Sequence, residues 1–176
     1  MTSKKSDAPL TNQELEIFRQ IATALHAIND LDELLKLVLG LVKAVLGIEG
    51  CSIALHDPNA REFYFIRTIE DLHQAESEDG IELRFPEDVG VGGDVYQKNQ
   101  TAIINDVTEN HRYFSKMDAK SGFITHSMIC APLRARKRVI GLIYALNKLE
   151  GDFTANDARL LELVSGTIAI AIENAR

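Results

Sequence analysis

Residues 127–148 read SMICAPLRARKRVIGLIYALNK, two apolar runs joined by a basic turn at Ala135-Arg136-Lys137. Each run is apolar at successive positions, so both of its faces are apolar. This pattern is typical of strands in the middle of a sheet that is covered on both sides. We therefore expect a β-hairpin at the centre of the fold, with strands at 127–133 and 138–146.

Further strand patterns lie on the N-terminal side of this hairpin. Two sets of side chains alternate along residues 51–56 and should face opposite sides of a sheet: Cys51, Ile53 and Leu55, and Ser52, Ala54 and His56. The turn at 57–59 predicts that 62–69 is the hairpin partner of this strand. We expect shorter strands at 81–85 and 102–104, and a mobile acidic loop at 70–80.

Helical patterns flank the strands at both ends of the chain. Thr11 and Asp30 each have a glutamate three residues on, which predicts a capping box at the start of two helices. Thr154 is expected to cap a last helix, and a short helix is expected at 94–98. The order predicts an α+β fold with an antiparallel central sheet. Its N- and C-terminal helices should cover one face, and pocket-forming loops and short helices the other.

The composition limits the classes of function that remain. A chain of 176 residues with 45% apolar residues fits one domain, which we place at 11–176 after a disordered lead at 1–10. The net charge of −7 argues against general nucleic-acid binding. We see no signal-peptide core and no membrane-spanning run, so we expect a cytoplasmic protein without membrane contact. Cys51 and Cys130 lie in apolar contexts and are expected to be buried, reduced thiols.

Several short motifs follow one another between Gly90 and Lys148. They are Gly90-Val91-Gly92-Gly93, Asn105-Asp106-Val107, Asp118, Ser121-Gly122-Phe123-Ile124-Thr125, the hairpin strand at 127–133, Ile140-Gly141 and Asn147-Lys148. This order resembles the GAF family over roughly residues 15–176. Within that family it is most similar to the GAF domains of cyclic-nucleotide phosphodiesterases and adenylyl cyclases.

The resemblance implies a set of ligand contacts around a base and a cyclic phosphate. Carried over by position, these contacts fall on Ser52, Gly92, Asp118, Ser121 and Thr125. One position departs from the family, because Tyr144 stands where an acidic residue often accepts a hydrogen bond from the base. A tyrosine cannot replace the paired acceptors of a carboxylate, which affects nucleotide choice.

Each polar group of this set also has an ordinary structural interpretation. Ser52 could be a satisfied core hydroxyl, Asp118 the cap of a turn, and Thr125 the start of a strand. Gly92 precedes the short helix, where glycine allows close backbone approach and free N–H groups favour an anion. The joint spacing of these residues favours a pocket.

A second signature of the same branch is expected to support the pocket from outside. Asn147, Lys148, Phe153 and Asp157 match it, with Lys148 and Asp157 as an ion pair, whereas Ala158 stands where the branch has a glutamate. The alternative is an ordinary surface ion pair near a helix start, which contributes about 0–1 kcal/mol.

Catalysis has little support in the sequence. The five histidines form no metal-spaced pair, and no nucleophile motif frames a serine. GAF relatives that reduce methionine sulfoxide need several pocket cysteines, and bilin-binding relatives need one in the pocket loops. A haem-binding sensor would need a proximal histidine. His126 lies near a suitable strand edge, but a lone histidine there is more often a surface residue. We therefore expect neither an enzyme, nor a metal, nor a cofactor beyond a bound small molecule.

Two functions remain in competition with that haem alternative. The first is a small-molecule-binding regulatory domain, with a cyclic nucleotide as the leading ligand. The second is a dimerisation and relay module with an empty pocket, which would act on an output domain or partner protein. We expect a homodimer through stripes on the terminal helices: Leu15, Phe18, Ala22 and Leu25, and Leu161, Val164, Ile168, Ala171 and Ala175. The alternative is that both stripes cover the chain's own sheet.

Overall fold

The computed structural model describes residues 11–27, 30–70, 83–116, 118 and 122–175, with side chains at all of these except 13–14, 18, 25–27 and 67–70. The elements in chain order are α1 (Asn12–Ala27), α2 (Leu31–Leu46), β1 (Ile48–Asp57), β2 (Glu62–Glu70), β3 (Arg84–Pro86), α3 (Gly90–Lys98), β4 (Ala102–Ile104), a 3₁₀ turn (Val107–Glu109), β5 (Met128–Ala135), β6 (Arg138–Lys148) and α4 (Ala155–Asn174). The predicted lead at 1–10 and most of the predicted loop at 70–80 lie outside the described residues.

The six strands form one antiparallel sheet in the order β3-β2-β1-β6-β5-β4. The hairpin β5–β6 turns between Ala135 and Arg138, and its two turn residues have positive φ, 52° at Arg136 and 114° at Lys137. Positive φ at both positions matches the twist of a tight hairpin. Because β6 pairs with β1 on its other edge, this hairpin lies in the middle of the sheet, as predicted.

One face of the sheet is covered by α1, α2 and α4. Asp30 caps α2 by accepting a hydrogen bond from the Glu33 backbone N–H (2.9 Å), and Gly47 ends the helix in the left-handed conformation with φ of 60°. The predicted alternation in β1 is confirmed, because Cys51, Ile53 and Leu55 pack in this helix layer while Ala54 packs on the opposite face. The predicted α+β fold is therefore the one observed.

The two predicted dimer stripes differ in burial, and the one on α4 is corrected. In α4, Leu161, Val164, Ile168 and Ala171 are buried in the chain's own core, so this stripe covers its own sheet. The face of α1 that packs on the core carries Ile17, Ile21 and Ala24. Leu15 and Ala22 of the predicted α1 stripe are exposed, so this part of the stripe does not cover the chain's own sheet, and the core contacts follow the neighbouring row of the helix. The side chains of Phe18 and Leu25 are outside the description.

The short helix α3 begins four residues earlier than predicted. Its first turn consists of the glycine motif itself, since Gly93 already donates to the Val89 carbonyl (3.1 Å). Glycine has low helix propensity, which made this turn look like a loop in the sequence. No helix in the described ranges combines the length and apolar character needed to cross a bilayer.

Candidate functional site

The face of the sheet opposite the helix layer carries the candidate site. On this face the residues of β1, β6 and β5 lie in register, with Ser52 opposite Tyr144 and Tyr144 opposite Cys130. Ser52 and Tyr144 are buried, at 3% and 8% exposure. Helix α3 and the segment after β4 lie over this face and enclose a space above these strands.

The enclosed space is a cavity of about 100 Å³, which we name the aromatic cavity. Its apolar and aromatic walls are Phe65, Leu83, Phe85, Val89, Val91, Tyr113, Phe114, Phe123, Met128, Tyr144 and Leu146. Ser52, Gly92, Asp118 and Thr125 also line it, so the structure brings five of the six predicted contact residues together. The sixth, Ser121, lies outside the described residues.

The Asp118 carboxylate is engaged by the protein itself. Its Oδ1 accepts from the Thr125 hydroxyl (2.8 Å), and its Oδ2 accepts from the Thr125 backbone N–H and the Tyr113 hydroxyl, both at 2.6 Å. Burial, helped by the bond to Asp118, raises the pKa of Tyr113 to about 12, so this phenol stays a neutral donor. Asp118 thereby holds two parts of the cavity wall together. The interpretation of Asp118 as a turn cap and its interpretation as a pocket residue are compatible.

Tyr144 and Gly92 form the floor and one wall of the aromatic cavity. A Cβ added at residue 92 would clash with the Tyr144 hydroxyl and would lie 2.9 Å from Leu142 Cδ1. Glycine is therefore required here by the packing of α3 on Tyr144. Burial raises the pKa of Tyr144 far above its usual range, and the neighbouring Cys130 thiol adds to this effect. The Tyr144 phenol is therefore neutral, and it can act on an occupant of the cavity only as a hydrogen-bonding group.

The predicted supporting residues bring three chain segments together beside the cavity. Asn147 has positive φ (56°), and its Oδ1 accepts from the His126 (2.6 Å) and Ser127 (3.2 Å) backbone N–H groups. Its Nδ2 donates to the Ile124 carbonyl (2.7 Å) and to Glu49 (2.8 Å). Asn147 thus fixes the segment that carries Thr125 to the end of β6.

The expected ion pair between Lys148 and Asp157 is present. Lys148 Nζ lies 3.1 Å from Asp157 Oδ1 and donates to the Leu46 carbonyl (2.7 Å), and the two side chains are 17% and 15% exposed. Thr154 caps the start of α4 as predicted, and Asp157 completes a capping box with it. Phe153 is buried, and its backbone exchanges hydrogen bonds with the Asn105 side chain. The Lys148–Asp157 pair is less exposed than an ordinary surface ion pair.

Sequence reasoning missed two features of the site, and the histidine considered for haem does not line the cavity. The aromatic walls contributed by Tyr113, Phe114 and Phe123 were not predicted, although aromatic residues in a polar loop are a usable signal for a covered site. The pairing of Asp118 with Thr125 was also not predicted. His126, the histidine considered for haem, is exposed and does not line the cavity.

The described residues thus form a small α+β domain, with an antiparallel sheet, helices on one face and a loop-covered cavity on the other. A family model described as GAF domain matches residues 29–173, and the chain belongs to this family of regulatory sensory domains. The resemblance seen in the sequence is therefore confirmed.

Similar proteins place the chain near phosphodiesterase GAF domains. It is 26% identical over 172 residues to probable 3',5'-cyclic phosphodiesterase pde-5 of Caenorhabditis elegans, covering 95% of this chain and 23% of that protein. It is 25% identical over 172 residues to dual 3',5'-cyclic-AMP and -GMP phosphodiesterase 11A of Takifugu rubripes, covering 94% of this chain and 19% of that protein. The chain thus spans about a fifth of the length of these curated relatives.

Among solved structures, the fold is similar to a GAF domain from a phosphoenolpyruvate-protein phosphotransferase of Coxiella burnetii. The TM-score is 0.80 at 20% identity, with 94% of this chain and 97% of that chain covered. At this identity the likeness shows the fold alone. The two phosphodiesterases named above are several times longer than this chain. The phosphotransferase domain is similar to it in fold alone.

Proposed function

We propose that this chain is a small-molecule-binding sensory module, and that a cyclic nucleotide is its leading ligand. The observation that supports this most is the convergence of Ser52, Gly92, Asp118, Thr125 and Tyr144 on one cavity. Four of them are contact positions implied by the resemblance to the cyclic-nucleotide branch of the family, and Tyr144 is the position that departs from that branch. They are spread over 93 residues of sequence, from Ser52 to Tyr144, and their common location supports a shared role.

The chemistry of the aromatic cavity suits a planar base with an attached anion. Several aromatic rings line the walls, and base–aromatic stacking contributes about 1–3 kcal/mol per base. The first turn of α3 reaches the cavity at Gly90, Val91 and Gly92. The first N–H groups of a helix lack intrahelical partners and favour an anion such as a cyclic phosphate.

The size of the aromatic cavity adds a condition to this proposal. Pockets that enclose small-molecule ligands usually have volumes of roughly 300–1,000 Å³. A cavity of about 100 Å³ holds only part of a nucleotide. Enclosing a whole nucleotide would therefore require α3 and the segment that carries Asp118 to move outward.

Calorimetry with cyclic AMP and cyclic GMP tests the proposal, with thermal melts of the same samples. We expect saturable binding and a rise in melting temperature, because a ligand selective for the folded state stabilises it. Tyr144→Glu restores an acceptor at the base edge and should change which purine is preferred. No heat at millimolar concentrations of either nucleotide would reject the cyclic-nucleotide ligand.

A dimerisation and relay module with an empty pocket is the second candidate function. The observation in its favour is the exposure of large apolar side chains on the helix layer, 50% at Leu15 on α1 and 59% at Ile170 on α4. In this function the helix layer would join two copies and pass a change to an output domain or partner protein. A cytoplasmic location belongs to both candidates. A haem sensor has no histidine in the described cavity wall to support it.

A further inference from the structure

Aromatic rings from three strands form a continuous row along the wall of the aromatic cavity. The Phe65 ring on β2 lies 5.6 Å from the Phe85 ring on β3 and 6.0 Å from the Tyr144 ring on β6, measured between centroids. Phe65 remains partly exposed, although it lies among apolar neighbours. Covering such a ring with an apolar occupant is favourable, because apolar surface is removed from water. The cavity therefore offers aromatic surface to a ligand.

The described wall of this cavity carries one formal charge. Among the described residues that line it, Asp118 alone has a charged side chain, and no lysine, arginine or histidine accompanies it. Its carboxylate is held by the protein, through three hydrogen bonds from Tyr113 and Thr125. The first turn of α3 contributes about half an elementary positive charge, which is less than the full negative charge of Asp118. Because a charge away from water is costly without a partner, this wall disfavours an anion.

The volume of the aromatic cavity limits the size of an occupant that leaves α3 in place. An apolar protein cavity of about 150 Å³ can bind benzene. The aromatic cavity has a volume of about 100 Å³, so it matches one small ring far better than a whole nucleotide. Ser52 and Tyr144 lie opposite each other across β1 and β6, and each supplies a neutral hydroxyl group at the floor. These hydroxyls suit one neutral hydrogen-bonding group on the ring.

We propose that the closed aromatic cavity binds a small uncharged aromatic molecule, a single ring with one neutral hydrogen-bonding group. The ring packs against Phe65 and Phe85, and its polar group meets the hydroxyls at the floor. This inference rests on the proposed small-molecule function of the same cavity, and it assigns a ligand class that needs neither a charge nor an outward movement of α3. A nucleotide would instead bring a phosphate, whose charge no side chain of the described wall neutralises.

Methyl NMR of Met128 tests the proposal on the purified chain. Met128 lines the cavity and is one of three methionines, so its signal in a methionine-methyl-labelled sample is assigned by its loss in Met128→Leu. Phenol, benzamide and benzoate are titrated separately at neutral pH and constant ionic strength. Benzamide and benzoate have nearly the same shape and differ by one negative charge. We expect phenol or benzamide to shift the signal saturably, with an affinity at least about ten-fold higher than that of benzoate.

The same titrations include cyclic AMP and cyclic GMP, which separates this proposal from the proposed function. A benzoate affinity within about ten-fold of that of the tighter neutral probe overturns the uncharged ligand class, as does a lack of saturation by both phenol and benzamide. Saturation by a nucleotide alone also overturns it and leaves the proposed function intact. Saturation by a neutral ring alone supports the uncharged class and removes only the nucleotide as leading ligand.

A variant that fills the cavity tests where the ring binds. Leu83 lines the cavity and is partly exposed, so Leu83→Trp adds bulk there and should weaken binding of the neutral probe at least about ten-fold. Leu37→Trp is the matched control, since Leu37 is 42% exposed on α2, and it should bind like the wild type. Melting curves without probe check that both variants fold. Val89→Phe replaces Leu83→Trp if that variant does not fold. Wild-type affinity in the filled variant would overturn the proposal.

Discussion

At the scale of single residues, Asp118 is bound to the protein before it meets any ligand. Its oxygens accept three hydrogen bonds from Tyr113 and Thr125. Asp118→Ala should therefore lower the free energy of unfolding by about 1–3 kcal/mol without ligand, because it leaves partly buried donors unsatisfied. Urea unfolding measures this, with exposed Asp152→Ala as the control. Equal stability of Asp118→Ala and the wild type would contradict the bridging role.

The expected loss of stability in Asp118→Ala also affects how the ligand affinity of this variant is interpreted. A lost hydrogen bond to a charged group costs about 1.5–3 kcal/mol, or roughly ten-fold to a hundred-fold in affinity. A loosened cavity wall would reduce affinity as well. Thr125→Ala removes one hydroxyl bond and keeps the backbone bond to Asp118, so a comparison of both variants separates the two causes.

Gly92 and Tyr144 are expected to be coupled. Gly92→Ala should destabilise the fold by about 1–3 kcal/mol, because the new methyl group meets the Tyr144 hydroxyl. Tyr144→Phe in the same chain removes that oxygen and should recover part of the loss, since Leu142 still crowds the methyl group. Chemical denaturation of the two single variants and the double variant measures the coupling. Gly166→Ala, with open space around it, is the control, and strict additivity of the two changes would rule the contact out.

Residue positions were predicted well where strand alternation decides them. Ser52 was placed on the pocket face because side chains alternate along β1, and the structure agrees. The bonds between Asp118 and Thr125 could not be predicted, since a loop closed by side chains leaves no period in the sequence. The requirement for Gly92 was explained by a ligand, whereas the structure supplies a contact from β6, which is distant in the chain.

At the scale of elements, a helix or strand is predicted correctly where its apolar pattern allows one interpretation. The hairpin β5–β6 was recognised because both strands are apolar throughout and the turn between them is basic. The start of α3 was missed because glycine hides a helical turn. The core face of α1 could not be predicted because that helix carries two apolar rows, and only tertiary packing decides which row is buried.

The pair formed by Lys148 and Asp157 joins the end of β6 to the start of α4. Lys148→Met removes both this ion pair and the bond to the Leu46 carbonyl, and it should cost about 1–3 kcal/mol of unfolding free energy. Urea unfolding measures the loss, and Lys137→Met at the exposed hairpin turn is the matched control. A change below about 0.5 kcal/mol would return the pair to the class of ordinary surface ion pairs.

Glu87 links the turn after β3 to β1 and to the turn between β1 and β2. Its carboxylate forms hydrogen bonds with Arg61 and with His56. Both bonds lower the pKa of Glu87 below its ordinary value of 4.5, and the bond with Arg61 has the larger effect. A carboxyl whose folded-state pKa is depressed stabilises the fold above its unfolded pKa, and the contribution is lost as the pH falls through the folded pKa. The difference in melting temperature between the wild type and Glu87→Gln should therefore be largest above pH 4.5 and shrink below it.

Melting curves recorded between about pH 7 and pH 3 check this dependence. Glu150→Gln, an exposed position in the turn after β6, serves as the control and should follow the wild type at every pH. A difference between Glu87→Gln and the wild type that grows as the pH falls would show that the sign of the linkage is wrong.

At the scale of the whole molecule, the two faces of the sheet serve different purposes. The helix layer buries the main core, whereas the opposite face holds the aromatic cavity, with α3 in its wall. The C-terminal end of α3 is bonded to the hairpin, because Arg134 donates to the Asn99 side chain (2.6 Å) and carbonyl (2.8 Å). This contact joins the end of α3 to β5.

The outer surface of the helix layer is expected to mediate self-association. The stripe on α4 that pointed to a dimer is used inside the chain, so a dimer must use the outer row, where Ile170 is 59% exposed, together with Leu15 on α1. Light scattering at increasing concentration should show a dimer by the high micromolar range, because burying these side chains removes apolar area from water. Ile170→Lys should restore the monomer. Ile124→Lys is the matched control, since Ile124 is 68% exposed but belongs to the segment beside the aromatic cavity. A wild-type monomer at every concentration would exclude the dimer, and equal dissociation by both lysine variants would show that association does not use the helix layer.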